Sequence, residues 1–305
     1  MTTPVIVVHG GAGTYDPSLI APARVGIREA ARVGQAILRD GGSARAAAVA
    51  AVRVLEDDPA FNAGRGACLT SQGHYEMDAA LMISTGLRTG AVASVPAVRD
   101  PIRLAELVLD HTPHALIVGE GATRLAKAHG VGHFGVAEVD TAKARERYEA
   151  ALAGRITREN RADTVGAVVL DARGELCAAC STGGTLLKLP GRVGDTPLVG
   201  SGFYAAPELG ACAATGVGEA ILAHVLSYSL LRDLRDVAPG AVCGVAQRRC
   251  EQVSETRSNA AVGLILIRPD GAVAIAHQSD HMSWAAAIGD GPVRGGIDRH
   301  EGPLP

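Results

Sequence analysis

The first apolar run, Val5–Val8, leads into His9-Gly10-Gly11-Ala12-Gly13, the pattern of a strand entering a glycine-rich loop. Apolar groups then recur at helical spacing from about Ala21 to Leu38, and Gly41-Gly42 stop that helix. Ser43 is placed to cap the next one, ARAAAVAAVRVLED. A further helix opens at Asp100-Pro101 and runs through Leu109, with the aspartate as cap and proline at the first position. Helical spacing also predicts helices over Thr215–Leu231 and Gly240–Val253. Short runs rich in Val, Ile and Ala predict strands at Met77–Ile83, Ala91–Val95, Ala115–Val118, Val165–Leu170, Leu176–Cys180, Gly263–Ile267 and Ala272–Ala276. Asp171-Ala172-Arg173-Gly174 and Arg268-Pro269-Asp270-Gly271 read as hairpin turns. Hairpins mixed with runs of helices indicate an α+β fold, not a βαβ repeat.

One stretch breaks the pattern. From about Phe134 to Asp163 the chain is polar and densely charged, with room for one solvated helix. It is either a surface linker or a tether that ends at a processing site.

Composition narrows the function classes. The 305 residues are 47% hydrophobic, enough for a large core, and 29 Lys+Arg against 32 Asp+Glu leave no basic run to grip a nucleic acid. No window approaches the ~20 uninterrupted apolar residues of a membrane span. The opening MTTPVIVVHGG has neither a basic n-region nor a signal-length apolar stretch, so a cytoplasmic location is expected. The six cysteines are scattered. Cys177 and Cys180 form a CxxC, but within a strand they would point to opposite faces and chelate poorly, so burial is the expected role.

The chemistry is concentrated after the charged stretch. Thr164 heads the run VGAVVLD, so a cut after Asp163 would leave a hydroxyl and a free α-amine on one residue. Such an amine, with a pKa of ~7.7–8.0, can act as base for its own hydroxyl. Before the cut, the same hydroxyl can attack the Asp163 carbonyl. The plainer reading is that threonine simply suits a strand. Downstream, Arg192 and Asp195 flank one turn and offer a cationic fork beside an anionic acceptor, which suits a free amino acid; a surface ion pair is the alternative. Thr215-Gly216 sits at a strand-to-helix junction, where a hydroxyl and an N–H can stabilise an oxyanion.

Together with HGGAG at 9–13, LEDDPAFNAGRGA at 55–67, MDAALM at 77–82, STGG at 181–184, LPGRVGDTPLVG at 189–200 and TGVGE at 215–219, this order of motifs resembles the plant-type (type 2) L-asparaginase/isoaspartyl peptidase family of N-terminal-nucleophile hydrolases. The resemblance runs almost end to end. It implies an αββα four-layer sandwich, one domain spanning 1–305, and self-cleavage into fragments 1–163 and 164–305 that stay together, usually as a dimer of such pairs. It implies hydrolysis of the side-chain amide of asparagine and of β-aspartyl dipeptides, with no catalytic cofactor. By motif, Thr164 is the nucleophile and Thr182 the threonine hydrogen-bonded beside it. Thr215 and Gly216 match the oxyanion hole, and Asn62 the asparagine near the nucleophile. Arg192 matches the residue holding the substrate α-carboxylate, and Asp195 and Gly218 the groups receiving its α-amine. The backbone carbonyls of Leu55, Glu56, Asp58, Phe61, Ala63 and Arg65 match a structural sodium loop.

The chain departs from relatives in Asp163 where glycine is frequent, in Arg65 within the sodium loop, and in Val262 before Gly263. Rival readings are a glycosylasparaginase, whose Trp-rich opening is missing here, and a protein-specific threonine aspartase, which carries a longer segment before the nucleophile. A binding-only relative that never cuts is a third. HGGAG as a phosphate loop is a weaker one, since the Lys-Ser/Thr ending of a P-loop is missing.

Overall fold

The computed structural model describes residues 2–156, 161–162 and 164–298. Its strands are β1 (Val5–Gly13), β2 (Glu76–Ile83), β3 (Arg88–Pro96), β4 (Leu116–Val118), β5 (Arg161–Ala162), β6 (Val165–Leu170), β7 (Leu176–Thr182), β8 (Phe203–Ala206), β9 (Gly210–Gly216), β10 (Val262–Ile267), β11 (Val273–Gln278), β12 (His281–Ile288) and β13 (Arg294–Asp298). The helices are α1 (Pro17–Arg39), α2 (Ala44–Asp57), α3 (Pro101–His111), α4 (Gly119–Ala128), α5 (Val136–Val139), α6 (Ala142–Leu152), α7 (Gly218–His224), α8 (Leu226–Asp233) and α9 (Val242–Glu255). Among the described residues none of the helices is long and apolar enough to cross a membrane.

The strands form a large sheet in the order β13-β12-β1-β6-β7-β2-β3-β4, with β5 pairing β1, and a small sheet in the order β11-β10-β9-β8. Alternation along the central strands divides the side chains between two cores. In β1, Ile6 and Val8 face a cluster shared with α1, α2 and α3, while Val5 and Val7 face another. That second cluster also holds Phe203, Ala213, Ile265 and Ile267 of the small sheet, so the two sheets meet face to face. The outer face of the small sheet buries Leu264 and Leu266 against Ile221, Leu230 and Val253 of α7, α8 and α9. Mixed helix and sheet is therefore the fold class.

Local signals mostly act as the sequence suggests. Ser43 Oγ accepts from the Ala46 N–H at 3.1 Å and starts α2 at Ala44. α1 starts earlier than the periodicity indicated, because Asp16 caps it through the Ser18 N–H (2.9 Å) with proline at the first position. The cap of α3 differs from expectation. Asp100 accepts instead from the His133 N–H (3.2 Å), and the Ile102 N–H at the helix start donates to Glu56 Oε1 (2.9 Å). The described part of residues 134–163 holds α6 as the solvated helix, together with the single turn α5 and the short strand β5.

The expected Thr215–Leu231 helix is corrected. Thr215 and Gly216 end strand β9, which β10 pairs at Thr215↔Gly263 and Gly216↔Val262. Helix begins at Gly218 and breaks at Val225, whose φ of 46° is left-handed. Gly216 itself has φ 132°, open to glycine but not to a helical residue. Strands β5, β8, β9, β12 and β13 lie outside the runs that the sequence predicts as strands. Cys177 and Cys180 do lie on opposite faces of β7, one toward the helices and one toward the small sheet, and burial raises both thiol pKa values.

Candidate active site

Thr164 stands just ahead of β6, in the middle of the large sheet, and is buried. β7 runs antiparallel beside it with Val165↔Ser181 in register, so the end of β7 delivers Thr182 to the same edge. The small sheet delivers Gly216 from the end of β9, and the Leu189–Thr196 loop delivers Arg192 and Asp195. These residues and Gly218 line one cleft with Thr164. A larger cleft, lined by Tyr15, Lys143 and Arg147 among others, contains none of them.

The printed geometry assigns different tasks within the constellation. Thr164 Oγ1 lies 3.4 Å from Thr196 Oγ1, two buried hydroxyls facing each other. Thr182 Oγ1 accepts from the Gly184 N–H at 2.9 Å and lines the same cleft as Thr164; among the described residues no hydrogen bond joins the two hydroxyls. Thr215 Oγ1 accepts from the Ala12 N–H (3.2 Å) and ties β9 to β1, while Gly216 is the member of that pair that lines the cleft. Asn62 does not line the cleft. It braces its floor, donating from Nδ2 to the Gly184 carbonyl (2.7 Å) and accepting at Oδ1 from the Cys68 N–H (2.8 Å).

The sequence matches the family profile described as Asparaginase over residues 2–294. The chain belongs to this asparaginase family. It is 41% identical to the isoaspartyl peptidase/L-asparaginase of Bos taurus, covering 97% of this chain and 96% of that one. The Homo sapiens protein of the same name is 39% identical over 97% and 96%. An isoaspartyl peptidase of Salmonella typhimurium is 37% identical over 97% and 99%.

In this asparaginase-family site the two charged anchors are not paired with each other. Arg192 donates from Nε (3.0 Å) and Nη2 (2.9 Å) to Glu219 Oε1 of the TGVGE motif, and its side chain is only 20% exposed. The ion pair that forms is a partly buried one with Glu219, whose side chain is 43% exposed, and none with Asp195 is formed among the described residues. Burial pushes the Glu219 carboxyl up, but the Arg192 charge and hydrogen bond outweigh that and hold it below the usual range. Asp195 is buried, and its Oδ2 has no hydrogen-bond partner among the described residues. Burial pushes its carboxyl up to about 7, with Arg192 opposing and the Glu219 and Asp78 charges adding to the rise. A buried acceptor left open in a cleft is suited to an incoming ammonium group. The close approach of these groups requires a glycine at 218: a Cβ there would lie 2.8 Å from both Arg192 Nη2 and Asp195 Oδ1.

Four supporting groups escaped the sequence reading. Thr196 and Glu219 lie inside quoted motifs, but nothing in their type or spacing shows what they face. Lys188 is buried and donates to the Glu76 carbonyl (2.7 Å), and its charge draws down the pKa of Asp78, which burial raises. His9, cross-strand from Gly166, is fully buried against the Thr164 backbone. Burial drives its pKa down to about 3, so the ring is neutral at working pH.

The 55–65 loop closes α2 onto α3. Gly64 (φ 50°) fills a cradle of carbonyls: a Cβ there would sit 2.5 Å from the Glu56 oxygen and 2.3 Å from that of Arg99. The Phe61 carbonyl accepts from Lys143 Nζ at 3.5 Å, an ammonium that an ion at this oxygen would have to displace. Arg65 is exposed, leaving its carbonyl usable while its side chain points away from the core. Of the six carbonyls the resemblance names, that of Glu56 lines this cradle, and neutral oxygens are the donors a hard monovalent ion takes.

Proposed function

We propose that this chain is an N-terminal-nucleophile hydrolase of the αββα type. It cuts itself between Asp163 and Thr164 and then hydrolyses the side-chain amide of asparagine and the isopeptide bond of β-aspartyl dipeptides. The observation that carries this reading is Thr164, buried at the head of β6 and sharing one cleft with Arg192, Asp195, Gly216 and Gly218. Asp163 lies outside the described residues, so the cut is argued from Thr164 alone.

After the cut the Thr164 α-amine serves as base. It takes the proton of Oγ1 as that oxygen adds to the substrate β-carbonyl carbon, and returns it to the leaving nitrogen. The C–N bond breaks, ammonia or an amino acid departs, and an aspartyl ester remains on Thr164. Water, deprotonated by the same amine, opens the ester and restores the hydroxyl. Thr215 and Gly216 stabilise the oxyanion, Gly216 from the cleft wall and Thr215 by fixing the end of β9; Thr182 supports the nucleophile from the end of β7. Arg192 receives the α-carboxylate, which displaces Glu219 from it, and Asp195 with Gly218 receives the α-ammonium, which draws the Asp195 proton off. Asn62 keeps the Gly183-Gly184 turn in place. A sodium ion held by the carbonyls of Leu55, Glu56, Asp58, Phe61, Ala63 and Arg65 would stiffen the floor without entering the chemistry. Fragments 1–163 and 164–305 remain one folded domain and pair into a dimer of such units in the cytoplasm.

Intact-mass analysis and steady-state assays test this. The expected products are fragments 1–163 and 164–305, with Thr164→Ala remaining whole. Turnover is expected for asparagine and β-Asp-Leu but not for α-Asp-Leu, whose α-carboxylate is consumed in its peptide bond. A Thr164→Ala chain that still splits at this bond would falsify the nucleophile assignment. A clear preference for sugar-linked asparagine would move the protein to the glycosylasparaginase branch.

A further inference from the structure

Thr196 has no part in the steps above, yet among the described residues its hydroxyl is the one that meets the nucleophile's: Thr164 Oγ1 and Thr196 Oγ1 are 3.4 Å apart, both buried. Its position is fixed from two sides. The Asp195 carbonyl accepts from the N–H groups of Leu198 (2.9 Å) and Gly202 (3.2 Å), closing a turn around Thr196. Gly202 then packs so near that a Cβ on it would come within 2.8 Å of the Thr196 Cα. The hydroxyl is thus presented by a turn with little freedom to move, and it lines the same cleft as Thr164.

The need for such a group differs before and after self-cleavage. In the mature enzyme the Thr164 amine can hold and deprotonate its own hydroxyl. In the uncut chain that nitrogen is an amide, whose lone pair is delocalised into the carbonyl and is no base. Some other group has to set the hydroxyl rotor so that a lone pair points at the preceding carbonyl. Among the described residues the hydroxyl that meets Thr164 Oγ1 is that of Thr196, whereas Thr182 Oγ1 accepts from the Gly184 N–H. Bonds of this kind are often long in a resting site and tighten toward the reaction.

Building on the self-cleavage reading above, we propose that Thr196 is a catalytic residue of maturation, accepting the hydrogen bond of the Thr164 hydroxyl and aiming its oxygen at the scissile carbonyl. The step balances within the two residues of the cut. The Oγ1–C bond forms, the C–N bond breaks, and the hydroxyl proton ends on the departing nitrogen, which becomes the α-amine. Water then opens the ester. Thr196 gains and loses no proton overall; it holds the rotor.

The test is the rate of self-cleavage, followed on denaturing gels from freshly purified precursor. Thr196→Val keeps the shape and removes the hydroxyl; Thr196→Ser keeps the hydroxyl and removes a methyl. Losing one neutral hydrogen bond in the reacting complex is expected to slow cleavage about tenfold in the valine variant. The serine variant should stay within about threefold of wild type by the same scale. Equal thermal midpoints for the two variants would separate the hydroxyl from mere packing, and Thr196→Ala replaces the valine variant should that one not fold. Cleavage of the valine variant at the wild-type rate, or equal slowing in valine and serine variants, overturns the role of Thr196 and leaves the self-cleavage reading intact. A wild-type chain that stays whole overturns both.

Discussion

The unpaired, buried carboxyl of Asp195 makes a function–stability conflict measurable. Its pKa rises in the folded chain from the ordinary 3.8 to about 7, chiefly through burial. Between those two values the folded state holds a proton that the unfolded state has released, so stability falls as pH climbs through that window and levels off above about 7. Three pH units at ~1.36 kcal/mol each give about 4 kcal/mol at most, since water entering the cleft would lessen it. Asp195→Asn is nearly isosteric and cannot ionise. It is therefore expected to match the parent near pH 4 and to exceed it in stability by up to ~4 kcal/mol at pH 8. The same change should cost most of the activity, because a neutral amide cannot balance the substrate ammonium. Urea unfolding of both proteins at several pH values, in a Thr164→Ala background so that a single chain unfolds, measures the gap. A gap that is flat with pH would refute the argument, since it would place the Asp195 titration outside the folded site.

Two further outcomes follow from the same cleft. Arg192→Ala removes the α-carboxylate partner and strands Glu219, so kcat/KM for asparagine should drop by at least about a hundredfold, taking ~2–5 kcal/mol for a buried charged partner; near wild-type efficiency would cancel the anchoring role. Gly218→Ala puts a methyl 2.8 Å from both Arg192 Nη2 and Asp195 Oδ1. It should raise KM for both asparagine and β-Asp-Leu while self-cleavage, which uses neither anchor, proceeds; an unchanged KM would show that the anchors have room to spare.

The sequence was most legible where residue type and chemistry coincide. Thr164, Arg192 and Asp195 stand out by residue type and position, each with a plainer reading beside it, while Gly218 is pointed to only by the family resemblance; the fold brings all four to one cleft. Thr196 and Glu219 do not stand out, because a hydroxyl or carboxylate acquires its task from what faces it across the fold. The same holds for caps. Asp100 had the right type at the right place, but Glu56, from the end of α2, reached the Ile102 N–H instead. Among the strands, β6 and β10 announce themselves by Val, Ile and Leu. β9 (GACAATG) and the AAA of β12 (HMSWAAAI) have small side chains that helices also favour, and only pairing with β10 and β1 makes them strands.

The order of the large sheet bears on how the molecule can be taken apart. β1, from ahead of Thr164, lies between β6 and β12, which both follow it, and β2 is zipped to β7. The two halves are woven through each other along three ladders, so opening one backbone bond at the joint releases neither. Made separately, each half would emerge with raw sheet edges and half a core exposed, a state prone to aggregate. A co-expressed pair of genes, one per half, is therefore a poor substitute for a single gene: under the proposed self-cleavage the chain is woven first and cut afterwards.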